Sequence, residues 1–109
     1  MKLTKEQKWL RTIRWLRRNF PSNLPTRIRS ERMKDCGDTT YFEKMENFRI
    51  CIRKSQSLDS KLDTLLHEYA HYLTWFGAES EIKDHGSEWG ITYAKIYRTF
   101  LEWDFGRSK

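Results

Sequence analysis

The stretch LDTLLHEYAHYL, residues 62–73, combines an apolar helical repeat with two histidines one turn apart. At about 100° per residue, the apolar side chains in and around it fall within about a third of a helix's circumference. The pattern predicts a core-packed helix whose N-cap is Ser57 or Ser60. It should end near Phe76, because Gly77 is a typical C-terminal stop. The apolar stripe consists of Leu58, Leu62, Leu65, Leu66, Tyr69, Leu73 and Phe76.

His67 and His71 lie on the side of this predicted helix opposite the apolar stripe. Four residues apart, their side chains are about 6 Å from each other along the axis, so both imidazoles can bind one zinc ion. Glu68 is rotated by about 100° from His67 and cannot join them without distorting the helix. A carboxylate at that position can instead act as general base toward a water in an open zinc position. The alternative is that both histidines simply hydrogen-bond to core carbonyls.

A catalytic zinc needs a third protein ligand, and His85 is the only other histidine in the chain. It opens a further predicted helix, residues 87–103, on the same side as Trp89, Tyr93, Ile96 and Phe100. A helical hairpin over residues 57–103 would bring this side of the 87–103 helix over the histidine side of the preceding helix. Glu81 or Glu88 would be the alternative third ligand, giving a site of two histidines and one glutamate.

Four further side chains near the predicted site could assist it. Tyr93 and Tyr97 are candidates for stabilising the oxyanion that forms during peptide hydrolysis, and core packing is the alternative role of each. Asp63 and Asp84 are candidates for holding the distal N–H of a ligand imidazole. As alternatives, both aspartates fit helix caps or ordinary surface positions.

The rest of the chain predicts an α+β fold in a single domain. Residues 4–19 form an amphipathic helix with Trp9, Ile13, Leu16 and Phe20 inward. Three strands follow at residues 26–33, 39–45 and 47–54, the last two joined as a hairpin. The strand at 47–54 places Phe48, Ile50 and Ile52 on one face. Since it directly precedes the histidine helix, it is the candidate for pairing with an extended substrate.

Composition excludes several classes of protein. No apolar run approaches the roughly 18 residues of a membrane span, and the N-terminus lacks the apolar core of a signal peptide. Cys36 and Cys51 are too few for a disulfide framework and are not spaced as a zinc pair. They are expected to be reduced thiols, which favours a cytoplasmic protein.

Positive charge is concentrated in residues 1–34, which hold eleven of the 21 Lys and Arg but two of the 15 acidic residues. This asymmetry favours a polyanion such as nucleic acid as partner, and general solubility is the alternative explanation. On the helix at residues 4–19, Trp15 falls among basic side chains and off the core face, and one hypothesis is that it is exposed and stacks on an unpaired base. Otherwise it would pack against the prolines or the C-terminal tail. The basic side chains are Lys8, Arg11, Arg14 and Arg18.

The combination of LLHEYAHYL and DHGSEW resembles the SprT-like metalloprotease domain, the group that includes the Spartan DNA–protein-crosslink proteases. That family has HExxH followed by a third histidine within HGxEF or HGxEW. The resemblance implies that His67, His71 and His85 bind one catalytic Zn²⁺ and that Glu68 is the base. It also implies peptide hydrolysis, DNA-associated substrates and a minimal zincin-like fold, with the closing helix carrying the third ligand at its start. The resemblance thus favours His85 over Glu88.

The chain departs from many members of this family in having no C-terminal zinc ribbon. We therefore expect a compact, stand-alone, monomeric domain over residues 1–109, like those of phages and some bacteria, and no membrane partner. The alternative function is a nucleic-acid-binding or regulatory module with a structural zinc and no turnover. Glu68 favours the enzyme, because a structural site needs no base and usually closes with a fourth ligand.

Overall fold

The structure, a computed structural model, describes residues 2–75 and 86–108, with side chains described as far as residue 104. Three helices and three strands follow in the predicted order, which confirms the α+β class. The elements are α1 (Lys5–Asn19), β1 (Thr26–Glu31), β2 (Gly37–Phe42), β3 (Asn47–Arg53), α2 (Leu58–Leu73) and α3 (Ser87–Ser108).

The three strands form one mixed sheet in the order β1-β3-β2. β2 and β3 pair antiparallel as the predicted hairpin, and β1 pairs parallel to the other side of β3. Phe48, Ile50 and Ile52 are buried and point toward the helices, as predicted. The hairpin turn is completed by Glu46, whose φ of 50° lies in the left-handed region.

The predicted pairing of a substrate with the strand at 47–54 is wrong. β3 is the central strand, and both of its edges already hydrogen-bond to β1 and β2. An added peptide strand needs an edge with unpaired N–H and C=O groups. Within the described part of the chain, only the outer edges of β1 and β2 have this property.

α1 begins at a capping box in which Thr4 accepts a hydrogen bond from the Gln7 backbone and the Gln7 side chain accepts one from the Thr4 backbone. Trp9 and Leu16 are buried, and the other two residues of the predicted stripe are partly buried against the same core. The inward face of this helix is therefore as predicted.

Trp15 is buried, so the hypothesis that it stacks on an unpaired base is wrong and the alternative of packing holds. The side chain is 7% exposed and its ring stacks on Trp103 at a centroid distance of 5.1 Å, with edge contacts to Phe20 and Phe100. The reason is the packing of α3 against α1, a contact between distant segments: Phe100 and Trp103 belong to the helix predicted over residues 87–103, but their partner cannot be read from the local pattern. The last turns of α3 cover the side of α1 that sequence alone leaves open, in line with the alternative that Trp15 packs against the C-terminal segment.

Arg11 also belongs to this contact between α1 and α3. Its guanidinium lies 2.9 Å from the Asp104 carboxylate and 4.4 Å from the centre of the Trp103 ring. Of the other basic residues predicted to face nucleic acid, Arg14 and Arg18 are exposed and Lys8 is partly buried. Arg11 and Trp15, two of the residues proposed to contact nucleic acid, therefore stabilise the packing of α1 against α3.

α2 is capped by Ser57, whose hydroxyl accepts a hydrogen bond from the Ser60 backbone. The helix ends at Leu73, earlier than predicted, while Phe76 and Gly77 lie outside the described residues. The apolar stripe is confirmed from Leu58 to Leu73, and its central members are buried. Those buried members are Leu62, Leu65, Leu66 and Tyr69.

Two tyrosines of α2 hold the connection between α1 and β1. The Tyr69 hydroxyl donates to the Phe20 carbonyl at 2.8 Å, and the Tyr72 hydroxyl donates to the Leu24 carbonyl. Burial raises the pKa of Tyr69 well above its ordinary value, so the phenol remains a donor.

Neither Cys36, which is exposed, nor Cys51, which is buried, forms a disulfide. In residues 2–75 and 86–108, no helix has the length and apolar character to cross a membrane.

Trp15→Ala should lower the free energy of unfolding by about 3–5 kcal/mol, because it leaves a cavity between α1 and α3. The neighbouring exposed change Arg14→Ala should stay within about 0.5 kcal/mol of wild type. Urea denaturation followed by tryptophan fluorescence and circular dichroism measures both. Equal unfolding midpoints for wild type and Trp15→Ala would contradict the burial of this side chain.

Candidate metal centre

His67 and His71 lie one turn apart on α2, with ring centroids 5.0 Å apart and both side chains partly buried. One potential ligand atom from each of His67, Glu68 and His71 lies within 4.8 Å of the others. The apolar stripe fixes the rotation of α2 against the sheet, and this rotation turns both histidines away from β3. The helix therefore brings together three of the predicted site residues.

Glu68 is 8% exposed, and the described structure shows what holds its carboxylate. One oxygen, Oε1, accepts a hydrogen bond of 2.7 Å from the Thr39 hydroxyl of β2. The other, Oε2, lies 3.7 Å from Nε2 of His67. The carboxylate thus directs one oxygen to the sheet and the other to the histidines.

Thr39 is a site residue that the sequence analysis missed. Strand alternation places it on the helix-facing side of β2, where a hydroxyl needs a hydrogen-bonding partner. Gly37, two positions earlier on the same side, allows the close approach. A Cβ there would lie 2.8 Å from the Thr64 side chain of α2, so a larger residue would push β2 and α2 apart. In the sequence, Gly37 and Thr39 are two positions apart and therefore share one face of the strand. This pattern indicates a contact with Glu68 only when it is known that α2 packs on that face.

Trp89 of α3 covers the histidine pair, as the predicted hairpin requires. Its indole N–H donates to the His67 carbonyl at 3.3 Å. Its ring lies parallel to His71 at 5.2 Å and edge-on to His67 at 4.7 Å. The bulk of the indole therefore limits the access of water to the imidazoles from this side.

Tyr93, one turn further along α3, extends this aromatic cover. It stacks on Trp89 at 5.2 Å, its ring centre lies 5.8 Å from that of His67, and its hydroxyl donates to the Asp63 carboxylate. Burial first, and then the hydrogen bond to Asp63, raise the pKa of Tyr93 well above its ordinary value, so the phenol keeps its proton. Tyr97 is more exposed than Tyr93, and the centres of the two rings are 6.0 Å apart.

The remaining predicted site residues are distributed differently. His85, together with Glu81 and Asp84, lies outside the described residues. Glu88 is exposed at the start of α3, with its carboxylate 3.3 Å from the Ser87 hydroxyl.

Comparisons of this chain with protein-family models, with curated proteins and with solved structures find no match. The function is therefore inferred from the residues and the geometry of the site.

Thr39→Val should lower the free energy of unfolding by about 1.5–3 kcal/mol, because the buried Glu68 carboxylate loses a charge-assisted hydrogen bond. Thr40→Val is the matched control, since Thr40 sits on the opposite face of β2 beside Arg49. It should change stability by no more than about 0.5 kcal/mol. Chemical denaturation at neutral pH measures both variants. Equal effects of the two substitutions would show that the hydrogen bond to Glu68 does not matter for stability.

Proposed function

We propose that this protein is a zinc-dependent metallopeptidase of the SprT-like type with a minimal zincin-like fold. The observation that carries the proposal is the cluster of His67, Glu68 and His71, whose potential ligand atoms lie within 4.8 Å of one another on one helix. Two imidazoles one turn apart on a rigid helix, beside a positioned carboxylate that serves as base, are the arrangement of the HExxH zinc peptidases.

The residues present fit a zinc ion. Both imidazoles are partly buried, and neutral imidazole nitrogen is a preferred zinc donor. In this proposal His67, His71 and His85 hold the ion, and Trp89 keeps water from one side of the first two. When bound, zinc supplies Lewis acidity that polarises a carbonyl and lowers the pKa of a water molecule to about 7.

Glu68 takes the role of general base. Its Oε1 is engaged by Thr39, which restricts rotation of the carboxylate, so Oε2 remains on the side of His67. From there Oε2 can accept a proton from a water molecule and then deliver it to the amine that leaves when the peptide bond breaks. Thr39 acts only through Glu68, and we assign it a positioning role.

Tyr93 is the group we propose for hydrogen bonding to the substrate carbonyl oxygen as it becomes negative. It retains its proton, and its ring lies against His67. Its hydroxyl donates to Asp63 in the free protein, so this role requires an exchange of acceptors when substrate binds. The more distant Tyr97 would lie outside this contact.

The extended substrate pairs, in our proposal, with the outer edge of β2. This strand carries Thr39, which touches Glu68, so a peptide along its edge passes close to the proposed base. The proposed substrates are DNA-associated proteins, in keeping with the net charge of +6 and its concentration in residues 1–34.

Glu68→Gln should reduce peptide cleavage by at least about 100-fold, because the amide cannot accept the proton of the attacking water. The variant should retain one zinc per chain by elemental analysis, since the histidines are unchanged. Glu102→Gln, an exposed carboxylate on α3, provides the matched control and should cleave like wild type. Casein cleavage and autocleavage, each with and without single-stranded DNA, are the assays.

Two outcomes would contradict the proposal. Zinc bound at one equivalent without any Glu68-dependent cleavage would indicate the alternative function, a module with a structural zinc. Equal cleavage by wild type and Glu68→Gln would remove the assignment of the base.

A further inference from the structure

The face of the sheet that points away from the helices is rich in arginine. Phe48, Ile50 and Ile52 point toward the helices, so the alternate positions of β3 and their neighbours point outward. Arg27 and Arg49 are adjacent on this face, as are Glu31 and Arg53. The outward arginines are Arg27, Arg29, Arg49 and Arg53, against the two carboxylates Glu31 and Asp38.

These charges divide the outer face into two ends. Glu31 lies 3.6 Å from the Arg29 guanidinium, and the Arg53 side chain donates to the Lys34 carbonyl, so one end is internally compensated. At the other end, Arg27 and Arg49 form no ion pair with any described residue. Arg27 and Arg49 are directly opposite each other on neighbouring strands, which are about 4.8 Å apart, so their two positive charges belong to the same end of the face. An anion bound at this end would be attracted by both charges.

This second end is concave. A cleft of about 450 Å³ opens there, between the start of β1 and the hairpin that joins β2 to β3. Its volume is within the range of roughly 300–1,000 Å³ that is usual for ligand-binding clefts. The polar side chains around it are Arg27, Arg29, Arg49 and Asn47, and the apolar ones include Phe42 and Met45.

Phe42 gives this cleft a flat apolar surface beside the charges. The Arg49 guanidinium lies 5.2 Å from the centre of the Phe42 ring, and the nearby Met45 is 65% exposed. Aromatic rings and guanidinium planes both stack on unpaired bases, and arginines pair with phosphates. The cleft therefore combines the two kinds of contact that a single-stranded nucleic acid offers.

We propose that this outer face of the sheet is a binding site for single-stranded nucleic acid. Arg27 and Arg49 contact consecutive phosphates, and a base stacks on Phe42. A duplex fits less well, because its bases are already stacked on each other and cannot reach a ring inside a cleft. The site lies on the opposite side of the sheet from His67 and His71, so binding does not depend on the metal centre.

The test measures binding of a fluorescein-labelled oligothymidylate of about 12 nucleotides, within the usual footprint of single-strand-binding domains. Fluorescence anisotropy gives the affinity of the full-length protein across a range of KCl concentrations. The double variant Arg27→Ala/Arg49→Ala should bind about tenfold more weakly, and its salt slope should fall by about 1.4, because two phosphate contacts are lost. Phe42→Leu should weaken binding at least about fivefold without changing the slope.

The matched control is Arg14→Ala/Arg18→Ala, which removes the same charge from the exposed side of α1. It should bind within about twofold of wild type, since neither side chain lines the cleft. Circular dichroism should show that the arginine variants are folded, because all four side chains are exposed. No peptide substrate is present, so the result is independent of the proposed peptidase activity.

Any one of the following results would overturn the proposal. Equal losses in the two double variants would show a response to net charge without a defined site. Unchanged affinity of the Arg27→Ala/Arg49→Ala variant, or no binding by wild type, would exclude the sheet face. Preference for a duplex of the same length, or for phosphatidylserine vesicles, would identify a different occupant.

Discussion

The packing of α2 on the central strand β3 is the constraint on which the rest of the structure depends. One buried core contains Leu65, Leu66 and Tyr69 of the helix together with Ile50 and other side chains of the strand. Burying each such side chain contributes about 1.5–3 kcal/mol, so rotating the helix would expose several of them at prohibitive cost. The direction of the His67 and His71 side chains is a consequence of this apolar contact.

Around that helix, two other elements supply three contacts to its polar side. β2 provides the hydroxyl of Thr39, and the start of α3 provides the indole of Trp89 and the phenol of Tyr93. The Thr39 hydroxyl holds the Glu68 carboxylate, and the Trp89 indole holds the His67 carbonyl. Tyr93 is hydrogen-bonded to Asp63 and packs on the His67 ring. A bare helix would leave these groups free to rotate and hydrated, whereas here they are oriented before any ligand binds.

The helices and the pattern of the site could be predicted from sequence because both depend on residues close together in the chain. The stripe of α2 and the spacing of His67 and His71 are local periodicities. What could not be predicted depends on contacts between distant segments. The parallel pairing of β1 with β3 makes β3 the central strand, and the packing of Phe100 and Trp103 of α3 on α1 buries Trp15. The bond from Thr39 to Glu68 spans 29 residues and required the register of β2 against β3.

Zinc K-edge X-ray absorption of the zinc-loaded protein tests the central claim, that the histidine side of α2 holds a catalytic metal. The account predicts nitrogen and oxygen neighbours at about 2.0–2.1 Å, with the multiple-scattering signature of three imidazoles. His85→Ala should remove one of these imidazoles. Sulfur neighbours at about 2.3 Å would instead indicate coordination by Cys36 or Cys51 and would contradict the account, as would a protein that retains no zinc.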